Sequence, residues 1–218
     1  MDKILLAKGA EAELYLEDWL GIKTVLKCRI CKKYRNPELD YKIRRRRTLC
    51  EVRNMLKARK LGINVPHVLE LDLSRLCIRL EYIEGINLRD LTRELDDKLL
   101  EDLYSEVGKI VGKLHLNGIM HGDLALTNFI YSKGRLYVID FGLSYDFQQV
   151  FDKKRINLCA RDINVLLRNL EANFGDRGLR LFQHFLNSYS EVLGFEIAKN
   201  VVKEVKRIRS MARYAVRV

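Results

Sequence analysis

Apolar and polar positions divide the chain into two regions with different periods. Up to about residue 35 the apolar residues alternate or come in short runs, at Lys3–Leu6, Ala12–Glu17 and Thr24–Ile30, with breaks at Gly9 and Gly21. Runs of this kind between glycines read as β-strands. Asn36-Pro37 marks a turn, and from about Asp40 to Leu61 the period becomes helical. There Leu49, Val52, Met55 and Leu56 recur at spacings of three and four, and Gly62 stands as a stop. Val68–Asp72 and Leu76–Tyr82 predict another strand pair, ending at Gly85. A long amphipathic helix follows from Leu99 to Leu116, with Leu99, Leu103, Val107, Ile110 and Leu114 on one stripe. A polar loop leads into a short hairpin, Asn128–Tyr131 and Leu136–Ile139, turned by Ser132-Lys133-Gly134. From about Cys159 onward the pattern is helical. The expected fold class is α+β, with a strand-rich N-terminal lobe (1–83) carrying one helix and a mainly helical C-terminal lobe (84–218).

Composition narrows the class. In 218 residues, 48% are hydrophobic and 32% charged, enough apolar material for a core. No apolar run approaches the ~18 residues that span a bilayer, and the apolar stretch at Ile4–Ala7 is too short for a signal peptide. These features predict a cytoplasmic protein with no membrane partner. The five cysteines, Cys28, Cys31, Cys50, Cys77 and Cys159, read as free thiols of a reducing compartment. Cys28 and Cys31 form a C-x-x-C, but no second ligand pair follows at zinc spacing.

Charge is distributed unevenly. The net charge is +11, and residues 27–60 hold 14 Lys/Arg against 3 Asp/Glu, which accounts for all of it. The rest of the chain is neutral. A field this concentrated attracts polyanions such as nucleotides, RNA or an acidic partner. A solvated arginine-rich helix face would give the same count.

The most specific chemistry lies in His121-Gly122-Asp123-Leu124-Ala125-Leu126-Thr127-Asn128, followed by Asp140-Phe141-Gly142. Phosphoryl transfer from ATP needs a carboxylate to take a hydroxyl or water proton, and two oxygen donors to hold Mg²⁺ against the phosphates. An H-x-D-x-x-x-x-N loop puts the base, Asp123, and one metal ligand, Asn128, on one turn. The hairpin returns the chain so that Asp140 supplies the other ligand. The same scheme needs a strand lysine on the α/β-phosphates and a helix glutamate paired with it. Lys27 ends an apolar run in the right strand, and Glu51 is the lone carboxylate in the basic body of the following helix. Gly9 offers a single close backbone approach to phosphate. The strand end Leu80–Gly85, with Glu81 and Ile83, has the form of a hinge whose main chain would bond adenine.

With these residues in place, the chain resembles the small atypical kinase/ATPase subunit of the KEOPS complex. Lys27-Cys28-Arg29, Lys33-Tyr34-Arg35-Asn36-Pro37-Glu38-Leu39-Asp40 and Arg47-Thr48-Leu49-Cys50-Glu51 match the family patterns K-x-R, K-x-Y-R-x-P-x-L-D and R-T-x-x-E. Gly9–Ala12, Glu81–Gly85, the H-G-D-L loop, the D-F-G-L-S segment and Ala160-Arg161-Asp162-Ile163 also match, so the similarity spans nearly the whole chain. It implies a minimal two-lobe protein-kinase-like fold using ATP and Mg²⁺. It further implies work beside a threonylcarbamoyl-transferase subunit and other KEOPS subunits, making threonylcarbamoyladenosine in tRNA. Asp162 would brace the catalytic loop. The basic run Lys203–Arg217 matches the short basic tail common in the family and implies a contact with tRNA or partner.

There are departures from protein kinases. Gly122 replaces the arginine of H-R-D, Ala125 stands where a lysine is usual, and no A-P-E follows the D-F-G. These shift the expectation toward ATP hydrolysis or narrow phosphorylation within the complex. Two alternatives remain at this level: a small-molecule phosphotransferase, since H-G-D with a later Asn also occurs there, and a non-catalytic ATP-binding adaptor for tRNA and partner.

Overall fold

The computed structural model describes residues 3–147 and 151–215. Met1, Asp2, residues 148–150 and the last three residues lie outside it, as do the side chains beyond Met211. Part of the predicted basic tail, Arg213 and Arg217, therefore falls outside the described side chains.

Five antiparallel strands form the N-terminal sheet in the order β1-β2-β3-β5-β4: Ile4–Lys8, Ala12–Trp19, Ile22–Arg29, Cys77–Glu81 and Val68–Asp72. Between β3 and β4 the chain makes helix α1, Pro37–Lys60. Asn36 caps it by accepting from the backbone N–H of Glu38 and Leu39, and Pro37 fits the first turn because its missing N–H is not needed there.

The second half is helical. It runs through β6 (Ile86–Asn87), α2 (Leu88–Glu94), α3 (Asp97–Leu116) and β7 (Ile119–Met120). The hairpin β8 (Phe129–Ser132) and β9 (Arg135–Val138) follows, then β10 (Tyr145–Asp146), α4 (Lys153–Leu193) and α5 (Phe195–Ala215). α4 is two helical pieces that meet at Gly175, whose φ of +52° breaks the helix. β8 pairs with both β6 and β9, and β10 pairs with β7. α3 packs along α4, and one apolar cluster runs from Met55 and Ile78 in the sheet half to Val205 in α5. None of the described helices is long and apolar enough to cross a membrane.

Three expectations need correction. Leu99 is 54% exposed, and the buried stripe of α3 is Leu100, Leu103, Tyr104, Val107, Ile110, Val111 and Leu114. The period and phase hold for the other four predicted positions, Leu103, Val107, Ile110 and Leu114, and Leu100 takes the inward place expected of Leu99. On α1 the inward residues are largely polar: Asp40, Thr48, Glu51 and Asn54 are buried beside Met55 and Ala58. Leu56 is 48% exposed, and Leu49 and Val52 are only partly covered. Finally, the cysteines are not all free. Cys28 and Cys77 face each other across β3 and β5 and form a disulfide, leaving Cys31, Cys50 and Cys159 as thiols. No cluster of three or more His, Cys, Asp and Glu suited to a metal occurs among the described residues.

Candidate functional site

Lys27 and Arg29 are two residues apart on β3, so their side chains leave the same face of the strand. That face meets α1 at Glu51. Lys27 Nζ lies 2.6 Å from Glu51 Oε1, and the Arg29 guanidinium bonds Glu51 Oε2. Glu51 is fully buried, so each of its oxygens answers a cation rather than water. Lys27 Nζ is also 2.6 Å from Asp140 Oδ1. Burial pushes the Lys27 ammonium down, but Glu51 and Asp140 outweigh it and hold its pKa above the ordinary value. Burial likewise pushes Asp140 up, while Lys27 and the Gly142 N–H hold its pKa below the usual carboxylate range.

Asp140 sits at φ +61°, a left-handed conformation uncommon outside glycine. It aims Oδ1 at Lys27 and the Gly142 N–H, 3.1 Å away. The Asp140 side chain is 47% exposed, and no hydrogen bond reaches its Oδ2 among the described residues.

The hairpin joins the two halves of the motif. Ile139 N donates to Asn128 O at 2.9 Å, which brings the residue before Asp140 onto Asn128. Asn128 Nδ2 donates to the Asp123 carbonyl at 3.0 Å and to its Oδ2 at 3.1 Å. This fixes the Asp123 carboxylate and leaves Asp123 Oδ1 and Asn128 Oδ1 without a hydrogen bond among the described residues.

The loop is held from below. Asp162 on α4 accepts from His121 N at 2.6 Å and Gly122 N at 2.7 Å, and lies 3.2 Å from His115 Nε2. His121 Nε2 meets the Ile139 carbonyl at 3.1 Å. Gly122 has φ +87°, and a Cβ there would stand 2.2 Å from the Leu143 carbonyl. The missing arginine of H-R-D is therefore a steric matter, because only glycine fits this turn.

At the proposed hinge, the Glu81 N–H is already spent on the His67 carbonyl at 2.9 Å. The Ile83 main chain makes no hydrogen bond among the described residues. Gly85 packs so closely on β8 that a Cβ would be 2.3 Å from the Tyr131 carbonyl. Gly9 lies in the turn from β1 to β2, its N–H bonded to the Ala12 carbonyl at 3.0 Å. That turn is tied to α1 through Glu11, which meets Arg47 at 2.5 Å.

Some residues of this arrangement were missed by motif reasoning. Arg29 is one, although K-x-R spacing on a strand signals a shared face. Asn54 is another: one turn beyond Glu51, it donates to Ser144 Oγ at 2.8 Å and ties α1 to the segment after D-F-G. Lys57 makes a second tie, to Asp146.

The family model of the RIO domain matches residues 29–180. The chain belongs to the RIO-domain family. A relative of similar size is the KEOPS complex subunit Bud32 of Pyrococcus abyssi, 36% identical over 216 residues and covering 96% of each chain. The probable bifunctional tRNA threonylcarbamoyladenosine biosynthesis protein of Methanosarcina acetivorans is 38% identical over 215 residues. That alignment covers 96% of this chain but 35% of the relative, so the RIO-domain chain spans about a third of such bifunctional proteins. Among solved structures, the Rio2 kinase of Chaetomium thermophilum aligns at TM-score 0.61 and 16% identity, over 94% of this chain and 71% of that one. WaaP in complex with acyl carrier protein aligns at TM-score 0.61 and 16% identity, over 93% and 89%. These likenesses establish the fold: a protein-kinase-like arrangement of a β-sheet lobe and a helical lobe.

Proposed function

We propose that the chain is an ATP- and Mg²⁺-dependent kinase/ATPase subunit of the KEOPS complex, serving threonylcarbamoyladenosine synthesis in tRNA. The pathway rests on the relatives' names. The chemistry rests on one observation above the others: Lys27 Nζ stands 2.6 Å from both Glu51 and Asp140, residues 24 and 113 positions away in the chain. A lysine held between a helix carboxylate and a half-exposed aspartate suits phosphate binding beside a metal.

The lobes divide at residues 83 and 84, with ATP between them. Its adenine meets the open Ile83 main chain, and Gly9 lies near the phosphates. Lys27, oriented by Glu51, bonds the α/β-phosphates. The oxygens left open on Asp140 and Asn128 are hard donors of the kind Mg²⁺ takes alongside phosphates and water. When bound, the metal neutralises charge on the phosphate oxygens. Asp123, its Oδ2 held by Asn128, accepts the proton of the attacking hydroxyl or water at its free Oδ1. The glycine at 122 and the lack of an A-P-E segment support hydrolysis or narrow phosphorylation inside the complex over broad protein kinase activity. The partners are the threonylcarbamoyl-transferase subunit, other KEOPS subunits and tRNA, in the cytoplasm.

ATP hydrolysis by the chain alone, with the transferase subunit, and with tRNA added tests this reading. Asp140→Ala should abolish turnover, and Asp123→Asn should abolish tRNA modification by an assembled complex. Turnover surviving in pure Asp140→Ala protein would overturn the catalytic assignment. Modification surviving Asp123→Asn would favour the adaptor reading, and saturable phosphorylation of a metabolite the phosphotransferase one.

A further inference from the structure

Of the α1 repeat that sequence spacing turns toward the core, Met55 is buried and Val52 packs against the core, whereas Leu49 is only partly covered and Leu56 is nearly half exposed. Leu49, Val52 and Leu56 line an open groove of about 1130 Å³ between α1 and the segment after D-F-G. Leu143 and Tyr145 form the opposite side, and Leu56, Leu143 and Tyr145 are each nearly half exposed, at 48%, 48% and 47%. Apolar side chains collected in one exposed groove mark an interaction site rather than scattered surface residues.

The rim of the groove is cationic. Lys42 is matched by Glu38, and Arg53 and Lys57 share Asp146, the one carboxylate lining the groove among the described residues. Arg45, Arg46 and Lys60 have no carboxylate within 4.0 Å among the described residues. The groove therefore carries uncompensated positive charge around an aliphatic floor.

Charge alone would suit RNA, but the floor argues otherwise. Unpaired bases are held by stacking on aromatic faces, and this groove offers one tyrosine among four aliphatic side chains. Aliphatic pockets take Leu-, Ile- or Phe-type anchors, and the free cations take acidic residues flanking them. We propose that this groove docks an acidic amphipathic segment of a partner protein, its apolar side chains on Leu49, Leu56 and Leu143 and its carboxylates on Arg45, Arg46 and Lys60. Such a segment bridges α1 to residues 143–146, reinforcing the Asn54–Ser144 and Lys57–Asp146 ties. Because α1 carries Glu51 and residues 143–146 continue from Asp140, occupancy favours the geometry in which Lys27 meets both.

The proposal rests on the reading that the chain works inside the KEOPS complex, and the test separates the two. Leu56→benzoylphenylalanine protein is assembled with the complex subunits of the same organism and a tRNA transcript, then irradiated. The expected result is a crosslink to a subunit peptide in which apolar residues alternate with Asp and Glu. In parallel, the Arg45→Glu/Arg46→Glu protein should bind that subunit at least tenfold more weakly. Its thermal unfolding and ATP turnover alone should be unchanged, since both side chains are exposed and outside the site. An assembled complex whose crosslink goes to tRNA, to a peptide without acidic flanks or nowhere overturns the docking proposal and leaves the function standing. Failure of the unmodified chain to assemble overturns the functional reading and the docking proposal with it.

Discussion

Glu51→Gln isolates the ion-pair assembly on which the site depends. Glu51 is fully buried, and the cations it holds, Lys27 and Arg29, are 5% and 7% exposed. Glutamine keeps the shape and removes the charge. Lys27 still has Asp140, whereas Arg29 has no other carboxylate partner among the described residues. Breaking a buried pair by removing one member costs about 3–5 kcal/mol. The glutamine oxygen can still accept one hydrogen bond from a charged donor, which recovers roughly 1.5–3 kcal/mol. The expected net loss is therefore roughly 1–3 kcal/mol, by the same two terms. With a urea m-value of about 2 kcal/mol/M, that lowers the unfolding midpoint by about 0.5–1.5 M.

The penalty should also be flat from about pH 5 to about pH 9. Lys27 is raised above its ordinary 10.5, so its contribution is present below that value and lost only as pH rises through the higher folded one. Asp140 is depressed below 3.8, so its contribution is present above that value and lost as pH falls through the lower folded one. A companion variant gives the sharper test. Removing both charges, as Glu51→Leu/Arg29→Met, should be less destabilising than Glu51→Leu alone, because an apolar replacement leaves Arg29's cation out of the core altogether. A Glu51→Gln midpoint equal to wild type, or strictly additive losses in the double variant, would refute the claim that Glu51 is held by both cations.

Three further outcomes follow from the same geometry. Gly122→Ala and Gly122→Arg should each lose more than about 1–3 kcal/mol, the usual strain of a left-handed residue, because the Cβ also meets the Leu143 carbonyl; thermal unfolding within a degree of wild type would contradict this. His115 should stay doubly protonated well above neutrality: burial pushes it down, but Cys159 and Asp162 outweigh that and hold it at about 10. Its contribution to stability is then full below its ordinary 6.5 and lost as pH rises through about 10, and an imidazole NMR titration with a midpoint near neutrality would refute it. Reduction of the Cys28–Cys77 bridge, which closes a separation of 49 residues, should cost about 4 kcal/mol in the loop-closure account; identical urea midpoints with and without reductant would show that the bridge does not constrain the unfolded chain.

How legible the molecule was in its sequence depends on what each pattern reports. Strands β2, β3, β4 and β5 and the β8–β9 hairpin stood out because short apolar runs ended at glycines or turns. The short elements β6, β7, β10 and α2 did not, since two residues of strand or two turns of helix carry no period. At the site, Asp123, Asn128, Asp140, Lys27 and Glu51 were nameable from spacing, and the structure brings these five into two connected clusters that share Asp140's loop. The Arg29 clamp on Glu51, the Asn54–Ser144 tie and the Cys28–Cys77 bridge were not. Each depends on which residues face each other across elements, and that is set by register and helix rotation rather than by distance along the chain.

Helix α1 shows why one misreading is informative. The repeat of Leu49, Val52, Met55 and Leu56 predicts a core face, and Met55 enters the core with Val52 packed against it. Beside that apolar packing the inward face is held by ion pairs and hydrogen bonds to other elements: Glu51 to Lys27 and Arg29, and Asn54 to Ser144. Those polar residues take the inward face because Lys27 must be met by a carboxylate there. Leu49 and Leu56 are left toward the outside, where exposed leucines carry a solubility cost and gain little from the chain's own core. A surface of that kind beside unmatched arginines makes physical sense when a second molecule completes it. The inward polar face and the outward apolar groove are thus two consequences of one constraint, the placement of Glu51 against Lys27.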